Sequence, residues 1–362
     1  MPLGRVGTYA GVQAAVRTLY ADLLSEETML EMVKAPDYDA LLTRLSETVY
    51  APLLKLDRKL LTPRRTAYQI RRRLAQVYPK LIRLTPDPGR ELVLGLWRLF
   101  DVANLKAALR GIEYGAGWEQ VRYLLFPMEA NTSVTPGILQ AMVKTGSIPA
   151  ALPLLKQTPY YQTLQHALSR YQKENSLFPL EAALDLDYRL DLWNTIESLP
   201  EPDRKSGLRL LGTVLDLDNL LWAIRYRVYH HLSAQEIVNY TIAQGYRLRK
   251  QHILTIAQGG DIAAVVAEAY PQLVLPEGLA DPSGKALETL ELTMQRYIVL
   301  LCRQTFLGQP FHLGLPLAYL LLCEHEINDL TAVIEAKAAH FPQNMLGRVL
   351  HTITPPQEEA WG

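Results

Sequence analysis

Few residues in this chain are of a type and spacing that could do chemistry, and each such pattern stops short. The string GLADPSGK (278–285) imitates a phosphate loop, which cradles phosphate in backbone N–H groups and offers magnesium a hydroxyl after its lysine. Here five residues separate Gly278 from Gly284, Ala286 replaces the hydroxyl, and no strand precedes, so no nucleotide is expected. His325-Glu326 opens a zinc-protease pattern, but the residue four positions after His325 is Asp329, not the second histidine that zinc requires. Cys302, His312 and Cys323 lack ligand spacing. His230 and His231 are adjacent, about 100° apart on a helix, and cannot aim at one ion. No Ser-His-Asp arrangement is visible, although such triads need not be local in sequence. No cofactor is expected.

The polar residues that do recur sit in three similar segments, VLGLWRLFDVANLKAALR (93–110), LRLLGTVLDLDNLLWAIR (208–225) and AYLLLCEHEINDLTAVIE (318–335). In register, Asp101, Asp216 and Glu326 align as acids, and Asn104, Asn219 and Asp329 as short polar groups. Leu105, Leu220 and Leu330 are identical. Val102/Leu105/Leu109, Leu217/Leu220/Ile224 and Ile327/Leu330/Ile334 each form one helical stripe, and each acid lies three residues from its polar partner, on the same face. Two readings follow. Each pair is a satisfied contact that fixes how helices cross in its own domain, or three equivalent helices surround an axis and the pairs face a partner. A fainter second part recurs too: 141–161 resembles 255–273, and 29–42 resembles the LLKQTPYYQTL stretch. The repeats place domain boundaries at 1–115, 116–232 and 233–351, with a loose tail over 352–362.

The elements that must carry these residues read as helices. Stretches free of proline include 89–126, 203–270 and 317–341, and an interior proline costs a helix about 3 kcal/mol. No Asn-Gly or Asp-Gly hairpin signal occurs anywhere. Ser233 with Glu236 makes a capping box ahead of IVNYTIAQGYRL, and Gly146-Ser147 and Gly260-Asp261 read as a helix stop followed by a new N-cap. The fold class is all-α.

Thirty-seven Lys+Arg balance 37 Asp+Glu, which leaves no global field to draw nucleic acid or anionic lipid. Locally the balance breaks. Nine cations and no acid lie between Arg58 and Arg83: Arg58, Lys59, Arg64, Arg65, Arg71, Arg72, Arg73, Lys80 and Arg83. That run reads as a solvated face or as a docking patch for an acidic protein surface or lipid headgroups; nucleic acid is disfavoured by the thin aromatic interleaving, Tyr68 and Tyr78 alone. From Glu181 to Asp203 seven carboxylates face Arg189 alone. Opposed patches suit a connector between two partners. Two cysteines fit a reducing compartment. The first twenty residues carry Arg5 and Arg17 without an apolar core, so no signal peptide is expected. The longest uncharged run, Leu313 to Cys323, is too short for the roughly 20 residues that span a bilayer.

The repeats also carry a family resemblance. PFHLGLPLAYLLLCEHEINDLTAVIEAKAAHFP (310–342) resembles the C-terminal signature of the C (or d) subunit family of V-type/A-type rotary ATPases. FPLEAALDLDY (178–188), LKQTPYYQTL and LFDVANLKAALRG resemble the family's other blocks, in order, over residues 8 to 350. Departures are Gly11 and Val12 in the opening helix, and Glu335 where the first two repeats have Arg110 and Arg225. The resemblance implies three related helical domains in a pseudo-threefold funnel, a non-catalytic central-stalk socket. It implies as partners the central shaft subunits and the membrane rotor ring of proteolipid subunits, with one copy per complex, peripheral on the cytoplasmic side of the membrane. It implies ATP-coupled proton or sodium transport and no nucleic acid. The alternative is a free-standing helical scaffold that binds peptides or acidic proteins in a threefold cavity.

Overall fold

The computed structural model describes residues 3–279, 284–342, 346–347 and 349–353, and among them the regular structure is helical, without a strand. The tail expected to be loose, 352–362, lies outside the described residues from 354 onward.

The first proline-free stretch begins with the helix Gly89–Glu113, and most of the third lies in the helix Gly314–Ala338. The latter holds Pro316 in its first turn, where a missing N–H costs nothing. The basic run forms the helix Pro63–Leu84, with Pro63 at its start and the Thr62 hydroxyl accepting from the Arg65 N–H. Pro79 lies inside that helix and is tolerated there.

The second stretch is broken up more than its sequence suggests. Asp203–Gly207, a π-helical turn at Leu208–Gly212 and Thr213–Val228 follow one another directly. Beyond them come only the short helices Ala234–Asn239, Lys250–Ala257 and Ile262–Ala269. The Ser233/Glu236 capping box forms in both directions, but its helix ends at Asn239 instead of running on through IVNYTIAQGYRL. The reason is competition: backbone N–H groups at 242 and 246–248 are taken by Asn219 and Asp216 of the neighbouring helix. Asp261 caps Ile262–Ala269 as expected, while the left-handed residue before it is Gly259, not Gly260.

The chain divides into two compact units. In Pro36–Thr195 the helix Gly89–Glu113 packs against Pro63–Leu84 and Pro136–Lys144. Tyr78 stacks on Trp97 at 4.7 Å, and Phe100 meets both rings edge-on. Val102, Leu105 and Leu109 are fully buried, each contributing about 1.5–3 kcal/mol of transfer free energy. The other unit joins Met1–Ala35 to Ile196–Gly362. There Gly314–Ala338 packs against Lys285–Leu307, Leu3–Ala21 and Glu26–Lys34. Tyr9 donates to Asp203 at 2.6 Å, Tyr20 stacks on Phe306 at 3.9 Å, and buried Lys337 donates to the Val33 carbonyl at 2.6 Å.

Candidate functional site: three polar clasps and a basic helix

The recurrent polar residues do one job three times. Asn104 donates to the Phe126 carbonyl at 2.9 Å and accepts from the Phe126 N–H at 2.7 Å. Asn219 grips Ile242 the same way, at 2.9 Å for both bonds. An amide can do this because it carries a donor and an acceptor side by side. The third copy has a carboxylate, which only accepts. Accordingly Asp329 takes two successive N–H groups, His351 at 2.9 Å and Thr352 at 2.8 Å, with the Thr352 hydroxyl at 2.6 Å. The clasped backbone lies 22 or 23 residues downstream in all three copies.

The acids fix a second loop. Asp101 accepts from the Thr132 hydroxyl, the Ser133 N–H and the Tyr160 hydroxyl. Asp216 accepts from three successive N–H groups, Tyr246, Arg247 and Leu248, and from the Tyr270 hydroxyl at 2.7 Å. Gly245 makes this approach possible: a Cβ there would lie 2.3 Å from the Asp216 carboxylate and 2.2 Å from the Leu248 carbonyl. Burial pushes both carboxyls up, opposed by these hydrogen bonds, and burial beside a carboxylate pushes the Tyr160 and Tyr270 phenols up. In the third copy Glu326 accepts from the N–H of Leu24, at 2.5 Å and 302 residues away. The N-terminal arm thus supplies to the third element what a downstream loop supplies to the first two.

All six residues, Asp101, Asn104, Asp216, Asn219, Glu326 and Asp329, are 1–4% exposed. Their in-chain bonds account for their polarity without any partner. Tyr160 and Tyr270 escape the sequence reading, although both stand in the recurring second segment, 59 and 54 residues after their acids.

A further feature of the element is an arginine near its end. Arg110 forms a two-pronged bond to Glu181 at 2.6 and 2.9 Å, and Arg225 reaches Glu291 at 2.6 Å. Each ties its helix to a later long one, Phe178–Ser198 in the first case and Lys285–Leu307 in the second. Glu335, the third counterpart, is exposed. The acidic stretch is largely consumed inside the chain: Asp185 pairs with Lys106 at 2.8 Å, Asp191 with Arg98 at 2.7 Å, Glu181 with Arg110 and Glu201 with Arg204. An open acidic face opposing the basic run is therefore not what these residues form.

The basic run keeps more of its charge outward. Thr66, Ile70, Leu74 and Val77 bury one face of Pro63–Leu84, and cations occupy the other. Arg58 precedes the helix, in the turn Arg58–Leu60, and pairs with Asp39 at 3.3 Å, so only Arg65 and Arg72 of the seven-residue series share the helix. Arg71 lies over the Phe126 ring at 5.3 Å and donates to the Leu124 carbonyl, and Arg72 donates to Gln69 at 3.3 Å. Arg73 sits part-buried on the same helix. Arg64 and Arg65 have no acidic partner among the described residues.

Of the residues weighed for chemistry, Cys302 and Cys323 are buried, and burial pushes the Cys302 thiol up. His325 is buried with its Nδ1 3.2 Å from that of His351, and burial lowers its pKa to about 3. Residues 280–283 of the phosphate-loop imitation lie outside the described residues, and Lys285 opens the helix Lys285–Leu307. Among the described residues no three His, Cys, Asp or Glu side chains converge to hold a metal, and no helix is long and apolar enough to cross a membrane.

An all-α fold with a triplicated, internally clasped helical element defines a structural class of protein. Comparison with known proteins makes it specific. The family model described as ATP synthase (C/AC39) subunit matches residues 12–348, and the chain belongs to that family. It is similar to the A-type ATP synthase C subunit of Methanocaldococcus jannaschii, 24% identical over 336 residues, 91% of this chain and 82% of the relative. The Methanothermobacter thermautotrophicus protein of that name is 26% identical over 283 residues, 76% and 72% of the two chains. The Methanosarcina acetivorans one is 24% identical over 344 residues, 93% and 91%. Family membership makes the chain a non-catalytic member of a V/A-type rotary ATPase.

Proposed function

We propose that this protein is the central-stalk socket of its complex: it links the rotating shaft to the membrane rotor ring of proteolipid subunits and passes torque between them. One copy acts per complex, peripheral on the cytoplasmic side of the membrane, in support of ATP-coupled proton or sodium transport. The observation that carries this reading is the triplicated clasp. A close-packed helix whose flanking loops are bonded back to it by buried carboxylates and amides is stiff, and a stiff wall transmits strain instead of absorbing it. Three such elements, one per repeat, suit the walls of a socket with approximate threefold symmetry. Arg58, Arg64, Arg65, Arg71, Arg72 and Arg73 supply a basic docking patch for an acidic protein surface or lipid headgroups.

The test is a pull-down of the tagged chain under gentle extraction, with identification of its companions. Shaft and ring subunits are expected together. Recovery of the chain alone would favour a free-standing scaffold and overturn the reading.

A further inference from the structure

At the foot of the basic helix, within the unit Pro36–Thr195, a cavity of about 550 Å³ opens between Arg64, the end of the helix Gly89–Glu113 and the segment that follows it. Its volume lies within the range of pockets that take a ligand or an anchoring side chain. The floor is made of small residues, Ala103 and Ala107, so space is left where a larger side chain would fill it, while Gly111 beside them is packed tightly against the Val121 side chain. Around the rim stand three cations, Arg64, Lys106 and Arg110, and none of the lining residues is acidic. Lys106 and Arg110 are paired with Asp185 and Glu181, which fixes their positions and offsets their charge. Arg64 has no such partner among the described residues, and Arg65 follows it on the same helix. Tyr114 is 81% exposed and Leu124 48% exposed, although both line the cavity. Large exposed apolar groups beside a pocket with a charged rim are the anatomy of an interface hot spot: an anchor site with surrounding polar contacts.

We propose that this cavity is a docking site for an acidic helical segment of another protein, which inserts one apolar side chain between Ala103 and Ala107 and sets its carboxylates on Arg64 and the cations beside it. The charge decides the occupant. A basic or neutral segment would leave Arg64 unpaired at a desolvated rim, whereas a purely anionic ligand would leave the apolar floor and the Tyr114 ring uncovered. The site rests on the reading of the chain as part of an assembly and adds to it a place and a chemistry of contact.

The experiment uses the full chain and three fluorescent 15-residue helical peptides: glutamate-rich with one central phenylalanine, the same with alanine there, and a lysine-rich version that keeps the phenylalanine. Only the first is expected to bind saturably, more weakly as salt is raised. Arg64→Glu, at an exposed position, is expected to weaken it tenfold or more with the melting temperature unchanged, and Ala107→Trp to block it by filling the floor. Equal binding of the first two peptides, equal binding by the Ala107→Trp chain, or no saturable binding of the first would overturn the site. None of these results bears on whether shaft and ring subunits co-purify, so the two readings fail separately.

Discussion

At the scale of single residues, the buried acids are the most consequential groups in the chain. Asp216 serves three backbone N–H groups and one phenol, and its loss leaves four donors without their acceptor, two of them, the Leu248 N–H and the Tyr270 hydroxyl, buried. Stranded groups cost about 1–3 kcal/mol each before relaxation. Asp216→Ala is therefore expected to lower unfolding free energy by at least about 3 kcal/mol in urea melts, and Tyr270→Phe by about 1 kcal/mol. His325 sets a pH dependence. Its pKa is about 3 in the folded chain against an ordinary value of 6.5, so the unfolded chain binds the proton more readily. The stability it supports is complete above pH 6.5 and is lost as pH falls towards 3, at about 1.4 kcal/mol per pH unit. His351, also lowered, acts in the same direction. Unfolding free energies from urea melts at pH 7.5 and 5.0 are expected to differ by about 2 kcal/mol from His325 alone, and His325→Phe to reduce that difference.

At the scale of elements, sequence and structure agree where the signal is local. Helix stripes, caps and the three repeats are written in side-chain types, and Val102, Leu105 and Leu109 are buried where the period puts them. Leu105→Ala is expected to cost about 2–5 kcal/mol by cavity formation, read by denaturation. What the clasps hold is not legible in the sequence, for a physical reason. Asn104, Asn219 and Asp329 bind main-chain groups, so the clasped positions, Phe126, Ile242 and His351, need no common side chain and show none. The same bonds explain why the helix capped by Ser233 stops early: propensity favours its continuation, but the backbone there is committed to Asn219 and Asp216. The acidic stretch misleads in the opposite way, since composition shows charge but not the cations of the facing helix that neutralise it. The basic helix is the element with charge to spare. Charge reversal of Arg65 and Arg72 together is expected to weaken docking to the rest of the complex in a salt-dependent manner, measured by co-sedimentation at low and high salt. Unchanged docking at low salt would make this a solvated face.

At the scale of the whole molecule, the N-terminal arm is tied into the unit that joins Met1–Ala35 to Ile196–Gly362. Glu326 holds Leu24, Lys337 holds Val33 and Asp203 receives Tyr9, so residues from the N-terminal arm complete the third copy of an element that the first two copies complete locally. Family membership makes such a body part of a rotary ATPase, and the role proposed for it there draws on stiffness and surface. The most direct measurement is ATP-driven ion uptake per ATP hydrolysed in vesicles carrying the purified rotary complex, with this chain present or left out and then added back. Hydrolysis that no longer moves ions without the chain, and recovers transport when it is restored, is the expected result. Undiminished transport per ATP in its absence would contradict a torque-bearing role.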